Sequence, residues 1–122
     1  ETKIQSYSFN DFIKKFFFKN PDIVKIDVEG YEIQVLLGAQ KVLSQLPSFA
    51  LEFHTSTYDY PLDQLKALYD LINFDMYDTY IQLEIDGPIT NYNKSLQDLK
   101  DLVSYPNIHF FGIPITLKKD QE

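Results

Sequence analysis

Apolar residues recur along the chain with two different periods, one typical of helices and one typical of strands. The spacing of a single apolar helical face occurs four times, and each occurrence predicts a helix packed on one side. The four stripes are Phe9, Phe12, Ile13, Phe16 and Phe17; Val35, Ala39, Val42, Leu43 and Leu46; Leu62, Leu65, Leu68, Tyr69 and Ile72; and Leu96, Leu99, Leu102 and Val103.

Between these helices lie runs that predict strands. The apolar runs at 22–27 and 48–54 are nearly unbroken, which is typical of strands covered on both faces. A strand–helix–strand succession builds a parallel pair, so we expect these two strands to be parallel and adjacent. Residues 76–85 alternate between apolar and polar side chains and predict a half-buried strand, antiparallel to a last strand at 107–113. The order predicts an α/β domain with a mixed sheet.

Length and composition narrow the function classes. The chain has 122 residues, the size of one domain, so we treat residues 1–122 as a single domain. The net charge is −7 and no large Lys/Arg cluster is present, so we expect no nucleic-acid partner. There is no cysteine, which excludes disulfides and thiolate metal sites. No apolar stretch reaches the ~18 residues of a membrane span, so we expect no membrane partner. The absence of cysteine fits a reducing compartment, so we expect a cytoplasmic location.

Polar side chains stand where the two parallel strands end. Asp27 and Glu29 follow the first strand, and Glu52 and His54 close the second. In open parallel sheets, ligands bind beyond the carboxyl ends of the strands. Glu52 lies within an apolar run, and burying an unpaired carboxylate costs several kcal/mol, so it needs a partner or access to a cleft. Together with His54, Glu52 has the chemistry of a general base acting on a hydroxyl.

Plainer interpretations of these residues stay open. Asp27 or Glu29 would also cap the following helix, and Glu52 would pair with Lys25 on the neighbouring strand. Glu32 fits the first-turn acid of a helix, and His109 fits packing within an aromatic strand. Tyr58 and Tyr60 are candidates for lining a substrate pocket. Carboxylates with one imidazole suit Mg²⁺ or Mn²⁺ better than structural Zn²⁺, but this pattern is too weak to predict a site, so we assign no metal.

Three segments carry a resemblance to a known family. KIDVEGYE at 25–32, VLLGA at 35–39 and LEFH at 51–54 resemble the FkbM-type S-adenosylmethionine-dependent methyltransferases. The resemblance implies the C-terminal half of the Rossmann-like class I methyltransferase fold. It also implies that the acidic turn, the segment of Asp27, Glu29 and Gly30 between the first strand and the next helix, lines the cofactor and substrate cleft. Asp27, Glu52 and His54 are therefore the candidate catalytic residues, and Asp27, Glu29 and Gly30 the candidate cofactor-binding residues.

The implied reaction is methyl transfer from S-adenosylmethionine to a hydroxyl of a small molecule, a sugar or a natural product. The sequence contains no G-x-G, so we expect the glycine-rich cofactor-binding half to be missing, the isolated chain to be inactive and cofactor binding to be weak. A non-catalytic α/β interaction module is the alternative, and a small carboxylate metal-binding domain a weaker one. The apolar 22–28 strand would also be an exposed edge, which favours a homodimer paired through it.

Overall fold

The computed structural model describes residues 3–92 and 96–115. The helices are α1 (Phe9–Phe16), α2 (Glu32–Leu37), α3 (Gln40–Ser44), α4 (Pro61–Leu71) and α5 (Leu96–Leu102). The strands are β1 (Ile23–Ile26), β2 (Ser48–Phe53), β3 (Tyr77–Gln82), β4 (Thr90–Asn91) and β5 (Ile108–Pro114). Short 3₁₀ turns cover Thr55–Thr57 and Phe74–Met76. None of the helices described is long and apolar enough to cross a membrane.

The strands form one mixed sheet in the order β1-β2-β5-β3-β4. β1 and β2 are parallel, with a register that runs from Ile23 opposite Ser48 to Ile26 opposite Leu51. β5 is antiparallel to both of its neighbours, β2 and β3. The predicted parallel pair and the predicted antiparallel pair are both confirmed. The short strand β4, which pairs with β3, had no distinct signal in the sequence.

The predicted helix over 35–46 is two helices, which corrects the sequence-based expectation. α2 ends at Leu37 and α3 begins at Gln40, with Gly38 and Ala39 between them. At this break the backbone N–H of Asn10 donates to the Gly38 carbonyl at 2.9 Å. A Cβ on Gly38 would stand 2.9 Å from the Ser8 Cβ, so the glycine permits the start of α1 to approach. The helix breaks where α1 contacts it.

One face of the sheet is covered and the other is open. Alternate strand residues, among them Val24, Leu51 and Phe53, share one buried cluster with side chains of α2, α3, α4 and α5. The residues that alternate with them in β1, β2, β3 and β5 are half-buried or exposed. The expectation that the first strand is covered on both faces was wrong, because Ile23 is 73% exposed. The helices described all contribute to the covered side.

The apolar stripe of α1 is only partly used for packing. Phe9 and Ile13 pack against the core cluster. Phe12 and Phe16 are exposed and gather with Tyr7 and a neighbouring phenylalanine in an aromatic group. The amphipathic spacing therefore predicted the helix correctly, but it did not predict how much of the apolar face would be buried.

Candidate functional site

His54 lies just past the end of β2 and is held in place by Glu32 at the start of α2. Its Nδ1 is 2.6 Å from Glu32 Oε1, and its backbone N–H donates to the same oxygen at 2.6 Å. The Tyr58 hydroxyl donates to the other carboxylate oxygen at 2.9 Å. Glu32 is fully buried, and these bonds supply the partners that a buried carboxylate needs. Glu32 is therefore the anchor of His54, a role that its position in the sequence did not reveal.

The electrostatics of this pair place a proton on Nδ1 of His54. Burial alone raises the pKa of Glu32, but hydrogen bonds from the His54 backbone, the His54 ring and Tyr58 outweigh it and lower the pKa overall. Glu32 is therefore ionised and accepts hydrogen bonds only, so His54 Nδ1 bears a hydrogen and donates it. Burial lowers the pKa of His54, whereas Glu32, Glu52 and Asp27 raise it, and the net direction is upward. Burial and the neighbouring Glu32 raise the pKa of Tyr58, which keeps its hydroxyl protonated.

The other ring nitrogen of His54 faces two carboxylates. His54 Nε2 lies 3.3 Å from Glu52 Oε1 and 3.6 Å from Asp27 Oδ1. One oxygen of Asp27, one of Glu52 and one ring nitrogen of His54 all lie within 4.8 Å of one another. The structure thus brings together the three residues that the sequence nominated as catalytic. We call Asp27, Glu52 and His54 the strand-end cluster.

His109 is a member of this neighbourhood that sequence reasoning missed. Its Nε2 lies 3.3 Å from Glu52 Oε2, and the two residues are directly opposite each other in the β2–β5 pair. A lone histidine in an aromatic strand gave no signal of this role, because the register of β5 against β2 is required to find it. In the part of the chain that is described, Glu52 pairs with these two histidines and not with Lys25, so the Lys25 ion pair was wrong.

The acidic turn contributes less than expected to the cluster. Glu29 is exposed, and the cluster of ligand-type atoms does not include it. Glu29 and Gly30 both have positive φ angles, 48° and 99°, which shape the turn into α2. A Cβ on Gly30 would lie 2.7 Å from Thr57 Oγ1, so a side chain would obstruct this turn. Tyr60 is exposed, whereas Tyr58 is committed to Glu32.

A small cavity adjoins the cluster on the open face of the sheet. Its volume is about 200 Å³, and its lining includes Asp27, Glu52, His109, Lys25 and Gln82. A larger cavity of about 680 Å³ lies against α1, lined by aromatic and amide side chains, and contains none of the strand-end cluster. Of these two cavities, the smaller one is therefore lined by carboxylate and imidazole side chains. Its carboxylates and imidazole are able to hold a cation or to accept a proton from a hydroxyl.

Comparison with known proteins gives one match. The family model described as the methyltransferase FkbM domain matches residues 1–82, a range that runs from the start of the chain through β3 and includes the whole strand-end cluster. No curated protein and no solved structure shows significant similarity to the chain. The match covers 82 of the 122 residues, and the chain therefore belongs to the FkbM methyltransferase domain family.

Proposed function

We propose that this chain takes part in the transfer of a methyl group from S-adenosylmethionine to a hydroxyl of a small molecule, a sugar or a natural product. The observation that carries the proposal is the strand-end cluster of Asp27, Glu52 and His54, in a chain of the FkbM methyltransferase domain family. The cluster stands at the carboxyl ends of two adjacent parallel strands, where ligands bind in open α/β sheets. It adjoins a cavity that opens to solvent.

The cluster supplies the group that hydroxyl methylation needs from a protein. As the oxygen–methyl bond forms and the sulfur–methyl bond of the donor breaks, the hydroxyl must also lose its proton to an acceptor. Glu52 has that role in our proposal, since its side chain is 22% exposed and lines the cavity. His54 Nε2 at 3.3 Å and His109 Nε2 at 3.3 Å each contact one Glu52 oxygen and orient the carboxylate. Asp27 holds the acceptor beside it.

The residues of the acidic turn fit a polar ligand. S-adenosylmethionine, when bound, supplies the electrophilic methyl group. The side chain of Asp27 is 44% exposed, and Glu29 is exposed in the same turn, so both present carboxylate oxygens suited to amine and hydroxyl donors. Gly30 lets the backbone turn closely behind them. Because the sequence contains no G-x-G, we expect calorimetric titration of the 122-residue chain to give weak affinity or none; micromolar affinity would contradict this.

The test of the reaction compares variants in a protein that contains this chain together with a complete cofactor site. We expect Asp27→Ala to lower the rate of methyl transfer at least about tenfold, equivalent to roughly 1.4 kcal/mol of transition-state stabilisation. Glu52→Gln should lower turnover more than it weakens cofactor affinity. Glu84→Gln removes an exposed acid outside the cluster and should leave both unchanged. Wild-type rates in folded Asp27 and Glu52 variants would reduce these acids to structural roles.

One observation favours a second candidate function, a non-catalytic interaction module that pairs with another copy of itself. β1 is an edge strand of the described sheet, and Ile23 on it is exposed. An apolar edge is a template for pairing with another chain. We expect light scattering to show a dimer that Ile23→Asp converts to a monomer. A monomeric wild-type chain at high micromolar concentration would eliminate this candidate.

A further inference from the structure

Three side chains of the strand-end cluster are spaced as ligands of one cation. His54 Nε2 is 3.3 Å from Glu52 Oε1 and 3.6 Å from Asp27 Oδ1, and all three ligand-type atoms lie within 4.8 Å. Adjacent ligands of an octahedral cation, each bound at about 2.1 Å, stand about 3 Å apart, and opposite ligands about 4.2 Å. The observed separations fall within or close to that range. A small movement of the two carboxylate side chains would complete the geometry.

An independent observation concerns the orientation of His54. A histidine that binds a metal usually donates its other ring N–H to a carboxylate, which fixes the ring and its tautomer. His54 does this with Glu32, which is buried, lies outside the cluster and is itself held by Tyr58. The other ring nitrogen of His54, Nε2, is directed at Asp27 and Glu52. The imidazole is therefore already aligned as a ligand.

The charge of the neighbourhood also calls for a cation. Asp27 and Glu52 face one side of the imidazole, and Glu32 faces the other. Of the residues whose structure is described, no lysine lies within ion-pair distance of Asp27 or Glu52, although Lys25 lines the same cavity. Two carboxylates close to one another repel, and among the described residues the imidazoles of His54 and His109 are the basic groups that contact them. A divalent ion has enough charge to offset both carboxylates.

The ligand set indicates the class of cation. Two carboxylates and one imidazole suit hard cations such as Mg²⁺ and Mn²⁺, whereas structural Zn²⁺ sites take four cysteine or histidine ligands. The exposure of Asp27 and the cavity of about 200 Å³ leave room for water or a ligand oxygen at the remaining positions. We propose that Asp27, Glu52 and His54 bind one Mg²⁺ or Mn²⁺ ion.

The consequence for chemistry rests on the proposed function. A cation at this position would bind the oxygen of the acceptor hydroxyl and lower the pKa of that hydroxyl, so the oxygen would become a better nucleophile. An acceptor with two neighbouring hydroxyls would bind through both, since three protein ligands leave further positions of a six-coordinate cation open. Acceptors with vicinal hydroxyls are the substrate class that this site favours.

The experiment measures Mn²⁺ binding to the purified 122-residue chain by calorimetry and by the electron paramagnetic resonance signal of free Mn²⁺. We expect one saturable site per chain that Mg²⁺ competes for. Asp27→Asn and Glu52→Gln should each weaken Mn²⁺ binding at least about tenfold, no less than the loss typical of an outer-shell partner. Both residues are partly exposed, so the variants should fold, which circular dichroism checks.

The matched control is Glu84→Gln, which removes the same charge from an exposed position outside the cluster and should leave Mn²⁺ affinity unchanged. Absence of saturable binding at millimolar Mn²⁺ would overturn the proposal. Equal weakening by Glu84→Gln and Glu52→Gln would also overturn it, because binding would then follow net charge. Methyl transfer that persists in the presence of a chelator would leave the proposed function intact and show that the reaction does not use the cation. Failure of the cation proposal is thus distinguishable from failure of the proposed function.

Discussion

The two faces of the sheet differ in what they demand of their side chains. In β2, the covered face carries Phe49, Leu51 and Phe53, all buried, while the open face carries residues that end in Glu52. The covered face stabilises the fold through apolar contacts with the helices, and the open face presents reactive groups at its carboxyl end. His54 contacts residues of both sides of the sheet, because its Nδ1 contacts the buried Glu32 while its Nε2 faces Glu52. A reactive group on the open face is thus oriented from within the helical layer.

The largest effect on stability should come from the covered face. Phe53 is fully buried, and Phe53→Ala removes a large apolar side chain from the core. We expect the free energy of unfolding to fall by about 3 to 5 kcal/mol, measured by urea denaturation. Phe111→Ala, the same substitution on the open face, should cost only about 1 kcal/mol. Equal losses at the two positions would mean that something covers the open face in solution.

A smaller loss is expected at the anchor between the faces. Glu32→Gln keeps the size of the side chain but removes the charge that accepts hydrogen bonds from His54 and Tyr58. Hydrogen bonds to charged groups contribute roughly 1.5 to 3 kcal/mol, so we expect a loss of about 2 kcal/mol in a chemical denaturation experiment. Glu29→Gln, in the neighbouring exposed turn, is the control and should stay within about 0.5 kcal/mol. If Glu32→Gln leaves the free energy of unfolding unchanged, His54 does not need this partner.

The covered face should also make the stability of the protein depend on alkaline pH, through the buried hydroxyl of Tyr77. Its hydroxyl donates to the Pro47 carbonyl at 2.8 Å, and burial raises the pKa of Tyr77 to about 12. The unfolded-state pKa is about 10, so this stabilisation is complete below pH ~10 and is lost as the pH rises through about 12. Tyr77→Phe should cost about 1 kcal/mol at neutral pH and reduce the fall in stability over this alkaline range. An unchanged alkaline slope in the variant would place the hydroxyl in contact with water.

The smallest effect on stability is expected at Glu52. Its side chain lies on the open face and contacts the edges of two histidines, so Glu52→Gln should change the free energy of unfolding by no more than about 0.5 kcal/mol. The measurement is the denaturation midpoint of the same protein preparation used for binding. A loss of several kcal/mol would instead make Glu52 part of the structural framework and weaken the proposed function.

The sequence by itself was sufficient for four of the five strands described and for three residues of the site. Hydrophobic periodicity is a local property, and it predicted β1, β2, β3 and β5 in the orientations that the structure has. Asp27, Glu52 and His54 were placed together because parallel neighbours end at the same edge of a sheet. The family was indicated by short motifs in the same segment and is shown by the match over residues 1–82.

Only the tertiary structure decided which side chains support that site and which apolar residues stay exposed. Glu32 contacts His54 across 22 residues of chain, and His109 meets Glu52 only through the β2–β5 register. The break at Gly38 and the exposure of Ile23 likewise depend on which elements pack against each position. Periodicity indicates that a side chain is apolar, but burial requires a partner from a distant part of the chain. Such long-range contacts leave no local pattern in the sequence, so the packing had to reveal them.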